Sequence, residues 1–301
     1  MAGGNLRDIR RRIASVRSTQ QITRAMKMVA AAKLRRAQER LLATRPYAHR
    51  IGQLVADLVA RQDLEAHPLL RPRQIQRILL VVFTADRGLC GAFNANLLRL
   101  AEETIETRYA AYRREGRLLI MAVGRKGHEF FARRGYRLVG DWRGVFQRLA
   151  LQQARDILHQ ILEGYLDGKW DAVELLYNEF KSVVSPNRVV EPLLPISPES
   201  LRTPAQAGSR GAVDYLYEPD PQALLAALLP RHLLAQLWRV LLESNAAEQA
   251  ARMVAMDNAT NNATELLRLL RLSYNRLRQA SITKELLEIV AGAEALAKAR
   301  E

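Results

Sequence analysis

Leu6-Arg7-Asp8-Ile9-Arg10-Arg11-Arg12-Ile13-Ala14-Ser15-Val16 places its apolar residues at steps of three and four: Leu6, Ile9, Ile13 and Val16. That spacing makes a seam along one face of an α-helix. Asn5 is placed to cap this helix with Asp8 in its first turn, and no glycine follows Gly4 until Gly52. The register returns at Leu34 and runs through Ala37, Leu41, Thr44, Ala48, Ile51, Val55 and Leu58. Leu34 follows Leu6 by 28 residues, four whole heptads, so one seam is expected along both stretches. Between them the seam slots hold Gln20, Thr23, Lys27 and Ala30. Ile22, Met26 and Val29 stand one position away, about 100° around the helix, and predict an apolar face for something other than the seam partner. Pro46 is expected to kink this helix or end its first section.

The other end of the chain has the look of a mate. Pro230 suits a first helical turn, and neither Gly nor Pro follows until Gly292. Leu234, Leu237 and Leu241 open a seam, the polar stretch 256–263 interrupts it, and Leu266, Leu270, Ser273, Leu277, Ala280, Lys284, Leu287 and Ala291 continue it. At 1.5 Å per residue the two helices would be about 80 and 100 Å long, too long to bury lengthwise in one domain. Residues 5–59 and 231–298 are therefore expected to pair antiparallel, the C-terminal helix overhanging. The organisation this predicts is a coiled-coil shaft of residues 1–60 and 219–301, with residues 61–218 as an inserted domain.

That insert reads as α/β. After a linker over 61–73, strands are expected at 77–84, 117–123, 171–179 and 189–194, with helices at about 92–115, 126–134 and 149–166. Strands alternating with helices predict a Rossmann-like, mainly parallel sheet covered by helices. The turn Thr84-Ala-Asp-Arg-Gly-Leu-Cys-Gly-Ala-Phe-Asn94 joins a strand to a helix N-terminus, a place where phosphates bind. It lacks the G-x-x-x-x-G-K-[ST] and G-x-G-x-x-G spacings, so nucleotide binding has little support.

The composition narrows the chemistry. Of 301 residues, 49% are apolar and 26% charged, enough for a real core. The net charge of +15 is concentrated in residues 1–50, which hold thirteen Arg and Lys against Asp8 and Glu39, so an acidic partner is expected there. A single Cys90 excludes a disulfide framework, and the five His are scattered without ligand spacing, so no catalytic, cofactor-binding or metal residues are assigned. A pure apolar run such as 78–83 is far short of a membrane span, and charged helix where a signal would have its apolar segment speaks against secretion. A homodimer zipper or structural stalk fits the heptads. A basic nucleic-acid-binding coiled coil fits the charge, although the basic residues overlap the heptads rather than flank them, and no aromatic stacking platform accompanies them.

Five segments then carry a resemblance. Ile22-Thr-Arg-Ala-Met-Lys-Met-Val-Ala-Ala-Ala-Lys33, Asp86-Arg-Gly-Leu-Cys-Gly91, Asp214-Tyr-Leu-Tyr-Glu-Pro219, Ala250-Ala-Arg-Met-Val-Ala-Met-Asp-Asn-Ala-Thr260 and Ser273-Tyr-Asn-Arg-Leu-Arg-Gln-Ala-Ser-Ile-Thr-Lys-Glu-Leu-Leu-Glu-Ile-Val290 resemble, in family order, the gamma subunit of F-type ATP synthases. Val213 stands where many relatives have Trp, and no paired-cysteine insertion of the plastid type is present.

The resemblance implies a non-catalytic central rotor that couples ion-driven rotation of a membrane c-ring to ATP synthesis or hydrolysis at the beta subunits. It implies alpha, beta and epsilon subunits and the c-ring as partners, with no nucleic acid and no cofactor. It also implies a peripheral place on the cytoplasmic side of a bacterial inner membrane, reached only through the complex. By the same resemblance Met26, Lys27, Arg278, Gln279 and Thr283 meet the beta subunits, with Met26 and Lys27 near the other three, and Tyr215 and Glu218 meet the c-ring.

Overall fold

The computed structural model describes residues 2–59, 67–182, 187–197, 218 and 220–298, with side chains between residues 6 and 293 of that set. Two long helices, α1 (Ala2–Val59) and α6 (Pro221–Lys298), enclose the rest in sequence. Between them come β1 (Ile78–Phe83), α2 (Phe93–Arg108), α3 (Ala110–Arg114), β2 (Leu118–Val123), α4 (Arg125–Arg133), α5 (Leu151–Leu166), β3 (Ala172–Glu179) and β4 (Asn187–Leu194). The chain divides into two compact units, Ala30–Arg252 and the paired segments Met1–Val29 with Met253–Glu301.

In Ala30–Arg252 the sheet order is β2-β1-β3-β4, with β1 parallel to both neighbours and β4 antiparallel to β3. The sheet is thus mainly parallel with one antiparallel edge, a direction that strand periodicity does not encode. All six residues of β1 are buried because helices cover both faces. Leu79, Val81 and Phe83 join a core with Ile51, Val55 and Leu58 of α1, Ile157 and Ile161 of α5, and Leu229, Leu233 and Leu237 of α6. Ile78, Leu80 and Val82 face the other way, against Leu97 and Ile105 of α2 and Phe131 of α4. The helix expected over 92–115 is broken at Tyr109, where φ is −123°.

The predicted ends of the long helices need correction. α1 begins at Ala2, so Asn5 lies inside it rather than capping it, and it continues past Pro46 to Val59. α6 begins nine residues before Pro230, at Pro221. Asp220 caps it, its Oδ1 accepting a 2.8 Å hydrogen bond from the Ala223 N–H, and proline at the first helical position completes the start signal. By length and composition alone a stretch of α6 is apolar enough to cross a membrane, but the leucines from Leu225 to Leu241 lie in the core, giving that composition a packing role.

In the second unit the helix ends pair antiparallel: Gln20 donates to Thr264 at 2.6 Å, Thr260 to Thr23 at 2.8 Å, and Lys27 reaches Asp257 at 2.6 Å. The polar seam slots Gln20, Thr23 and Lys27 are thus the contacts themselves. On α6 the more covered residues are Met256, Thr260, Ala263, Leu267, Leu270, Tyr274, Leu277 and Ser281. Leu266, Ser273, Ala280, Lys284, Leu287 and Ala291, expected on the seam, are exposed. The phase runs through the small and polar Thr260 and Ala263, which a count of large apolar residues passes over. Counted outward from Gln20 and Thr264, α1 ends 18 residues on, at Ala2, and α6 34 residues on, at Lys298. The longer end leaves Ile282, Leu286, Leu287, Ile289 and Val290 between 46% and 72% exposed.

Candidate partner-contact surfaces

The turn after β1 leads into α2, but its side chains reach the N-terminus of α4, the helix that follows β2. Asp86 is buried, and its carboxylate accepts hydrogen bonds from the backbone N–H of Arg125 (2.9 Å), Gly144 (2.7 Å) and Phe146 (3.0 Å). Thr84 Oγ1 accepts from the Gly127 N–H at 2.7 Å. Two first-turn N–H groups of α4, those of Arg125 and Gly127, therefore hold an internal carboxylate and hydroxyl. Gly124, with φ of 106°, allows this approach: a Cβ there would lie 2.0 Å from the Thr84 carbonyl oxygen.

The same turn is clasped to α6. The Arg252 guanidinium donates to the carbonyls of Gly88 (2.6 Å) and Arg87 (3.4 Å) and to Glu248 (2.6 Å). Burial raises the Glu248 carboxyl above its usual range, and Arg252 works against that rise. Beneath the clasp Ala85, Cys90 and Phe93 pack on Ala247 of α6. Cys90 is buried, its thiol pushed up chiefly by desolvation, and Asn94 donates to its sulfur at 3.3 Å. Such a thiol has a packing role. Leu89, at the tip, is 68% exposed with φ of 63°, the left-handed region that a branched side chain occupies only when its surroundings impose it. A second tie joins α6 to the sheet: Arg239 holds Glu191 of β4 through both carboxylate oxygens, at 2.8 and 2.9 Å, and donates to the Tyr177 hydroxyl.

The residues assigned to partner contact fall into separate places. On α1, Ile22 and Val29 are more than half exposed while Met26 is partly covered, and Lys27 is engaged with Asp257. Arg278 and Gln279 are exposed, and Thr283 donates to the Gln279 carbonyl at 3.0 Å. Lys27 and Arg278 are not neighbours. Because Lys27 lies opposite Asp257, it is 21 residues of α6 from Arg278, about 30 Å of helix. The antiparallel register thus separates Met26 and Lys27 from Arg278, Gln279 and Thr283. Glu218 is exposed, and Tyr215 lies outside the described residues. Asp257, Thr260, Arg252 and Glu248 were missed as contributors, although each belongs to a polar run on an otherwise apolar helix, the signal that could have found them.

Two long helices joined in antiparallel register, with an α/β domain inserted in sequence between them, define the architecture of a stalk subunit. The family model described as ATP synthase matches residues 5–296. The chain is 54% identical over 292 residues to the ATP synthase gamma chain of Chlorobaculum tepidum, covering 97% of this chain and 98% of that one. It is 52% identical over 302 residues to that of Salinibacter ruber, with the same coverage. The chain belongs to the ATP synthase gamma chain family. Among solved structures, a chain from the OSCP/F1/c-ring cryo-EM structure of Euglena gracilis mitochondrial ATP synthase matches with a TM-score of 0.67 at 24% identity, covering 99% of this chain and 97% of that one. A chain from the rotor of the same enzyme matches with a TM-score of 0.62 at 23% identity, covering 93% and 99%. At these identities the likeness is one of fold.

Proposed function

We propose that this chain is the central rotor shaft of an F-type ATP synthase, a non-catalytic subunit of a membrane-associated, ion-translocating complex. In this reading the paired ends of α1 and α6 turn within a hexamer of alpha and beta subunits, and the inserted domain meets epsilon and the c-ring on the cytoplasmic side of an inner membrane. Residues 1–60 and 219–301 serve as shaft and 61–218 as foot. The observation that carries the reading is whole-length membership of the gamma chain family. The exposed Arg278, Gln279 and apolar end of α6, together with the basic N-terminal helix, supply surface for partners. A shaft that touches chemically identical subunits differently biases each toward a different conformation, which couples rotation to nucleotide binding without chemistry in the shaft. The basic coiled-coil nucleic-acid reading is not favoured by that membership.

Arg278 and Gln279 are proposed to grip beta-subunit carboxylates or loop carbonyls, and Thr283, Met26 and Lys27 to contact beta elsewhere along the shaft. Tyr215 and Glu218 are proposed to meet the c-ring. Co-expression with alpha and beta subunits should yield an ATPase-active complex containing this chain. In that complex Arg278→Ala with Gln279→Ala should lower turnover while assembly persists. Full turnover in the assembled double variant would remove these residues from the coupling path. Failure of the unmodified chain to assemble would remove the rotor reading itself.

A further inference from the structure

The amino-terminal edge of the sheet in Ala30–Arg252 carries a row of cations. Arg137, Arg117 and Arg77 stand on neighbouring segments in that order. The Arg137 carbonyl accepts from the Ile120 N–H of β2 at 2.9 Å, the Arg117 carbonyl from the Ile78 N–H of β1 at 3.1 Å, and the Arg77 carbonyl from the Asp171 N–H at 2.8 Å. Lys169 comes two residues before Asp171. Adjacent segments in a sheet lie about 4.8 Å apart, and like charges set side by side there repel. All four residues line one cavity of about 670 Å³, walled on another side by Gln160 and Glu163 of α5. Lys169 is held by Asp167 at 3.0 Å and Arg117 by Glu115. The Arg137 guanidinium donates to the Gly116 carbonyl at 3.0 Å and that of Arg77 to the Gly168 carbonyl at 3.5 Å, and neither is in an ion pair among the described residues. The Asp171 carboxylate is taken up by the backbone N–H groups of Gln76 and Arg77, both at 2.9 Å, and Glu163 lies 3.9 Å from His159. Gln160 accepts from the Trp142 indole at 2.9 Å through its oxygen, which leaves its amide NH2 as a further donor.

From this geometry we propose that the cavity binds a small, soluble, multiply charged phosphate anion of the diphosphate class, gripped by Arg77 and Arg137. Guanidinium forks match phosphate oxygens in two-point hydrogen bonds. A terminal phosphate offers three strong acceptor oxygens pointing in different directions, so the two guanidiniums and the Gln160 amide can meet it from several sides, as they cannot meet a planar carboxylate. Glu115 and Glu163 share the wall and oppose any anion, which favours one whose charge engages several cations at once. A bound diphosphate offsets the repulsion along the row and ties the starts of β1 and β2 to the segment beside them. The site lies at the opposite end of β1 from Asp86 and its hydrogen bonds, so the two are independent.

The test is calorimetric titration of the full chain with inorganic pyrophosphate at about 0.15 M salt, where diffuse attraction between exposed charges is largely screened. One saturable site is expected, with a Kd below about 1 mM and a rise in melting temperature as it fills. Citrate, a multiply charged carboxylate, should bind at least about tenfold more weakly. Arg77→Gln and Arg137→Gln, both at exposed positions, should each weaken pyrophosphate by about tenfold or more, the loss expected of one charge-assisted hydrogen bond. Arg133→Gln, at an exposed cation of α4 away from the cavity wall, should leave the affinity unchanged. Circular dichroism of each variant separates lost binding from lost folding. Absence of saturable pyrophosphate binding to the unmodified chain would overturn the proposal. Equal affinity for citrate would overturn the phosphate assignment, and an equal loss in Arg133→Gln would replace the site with diffuse attraction to a basic surface.

Discussion

The two units solve the problem of holding long helices together in opposite ways. In Ala30–Arg252 both helices press leucines and isoleucines into a core that includes the sheet, and nine polar or charged side chains among the described residues are buried beside them; in the other unit the helices meet through Gln20, Thr23 and Lys27 beside a few buried apolar residues, Met256, Ala263 and Leu267, and leave large apolar side chains outside. The first arrangement derives its stability chiefly from area removed from water, and the second combines a few directional polar contacts of modest net worth with a thinner apolar seam. Rigidity therefore belongs to the unit with the sheet. The other unit keeps its apolar surface available for partners.

The largest effect should come from the first unit. Gly124→Val forces a side chain into the Thr84 carbonyl at a positive φ and should cost about 5 kcal/mol or prevent folding altogether, read by chemical denaturation of the full chain. Leu237→Ala empties a fully buried position and should cost about 3 kcal/mol. A loss no larger than that of a surface variant would dissolve the contrast between the units.

Next in size is a pH effect. The folded state holds His232 near 4, below its ordinary 6.5, and so refuses a proton that the unfolded chain accepts. Its contribution is complete above pH 6.5 and is lost as pH falls toward 4, at most about 3 kcal/mol in all. Glu243 and Glu248, raised by burial, run the other way, so the measurement is the difference between the stability–pH curves of the unmodified chain and His232→Gln. A difference that stays flat across that window would place His232 in contact with solvent.

Smaller effects are expected in the second unit. Lys27→Ala removes a half-exposed ion pair and should cost under about 1 kcal/mol, shrinking further in high salt. Leu286→Ala, at a side chain 58% exposed, should change the stability of the full chain by less than about 0.5 kcal/mol. A loss comparable to that of Leu237→Ala would mean that the end of α6 is covered by another part of the molecule.

What could be read in advance follows the range of the forces involved. Periodicity reports which face of an element meets apolar neighbours, so the α1 seam from Leu6 to Leu58 and all four strands were legible to within two residues. The α6 seam was not, because Thr260 and Ala263 hold the phase through hydrogen bonding and small size rather than hydrophobicity. Asp86 was unreadable as a hub: its partners Arg125, Gly144 and Phe146 lie 39 to 60 residues away, brought together only by the sheet. The same holds for Lys27 and Asp257, 230 residues apart. Arg278 and Gln279 were placed off the seam by counting alone, and they are exposed.

Asp86 has one more consequence. Open α/β sheets usually receive their ligands at the carboxyl ends of the strands. At that end of β1 this chain supplies the anion itself, covalently attached and present at unit occupancy. The joint between the turn, α4 and the segment 144–146 is thus closed by a group that cannot dissociate, so its three hydrogen bonds do not depend on capturing a ligand from solution.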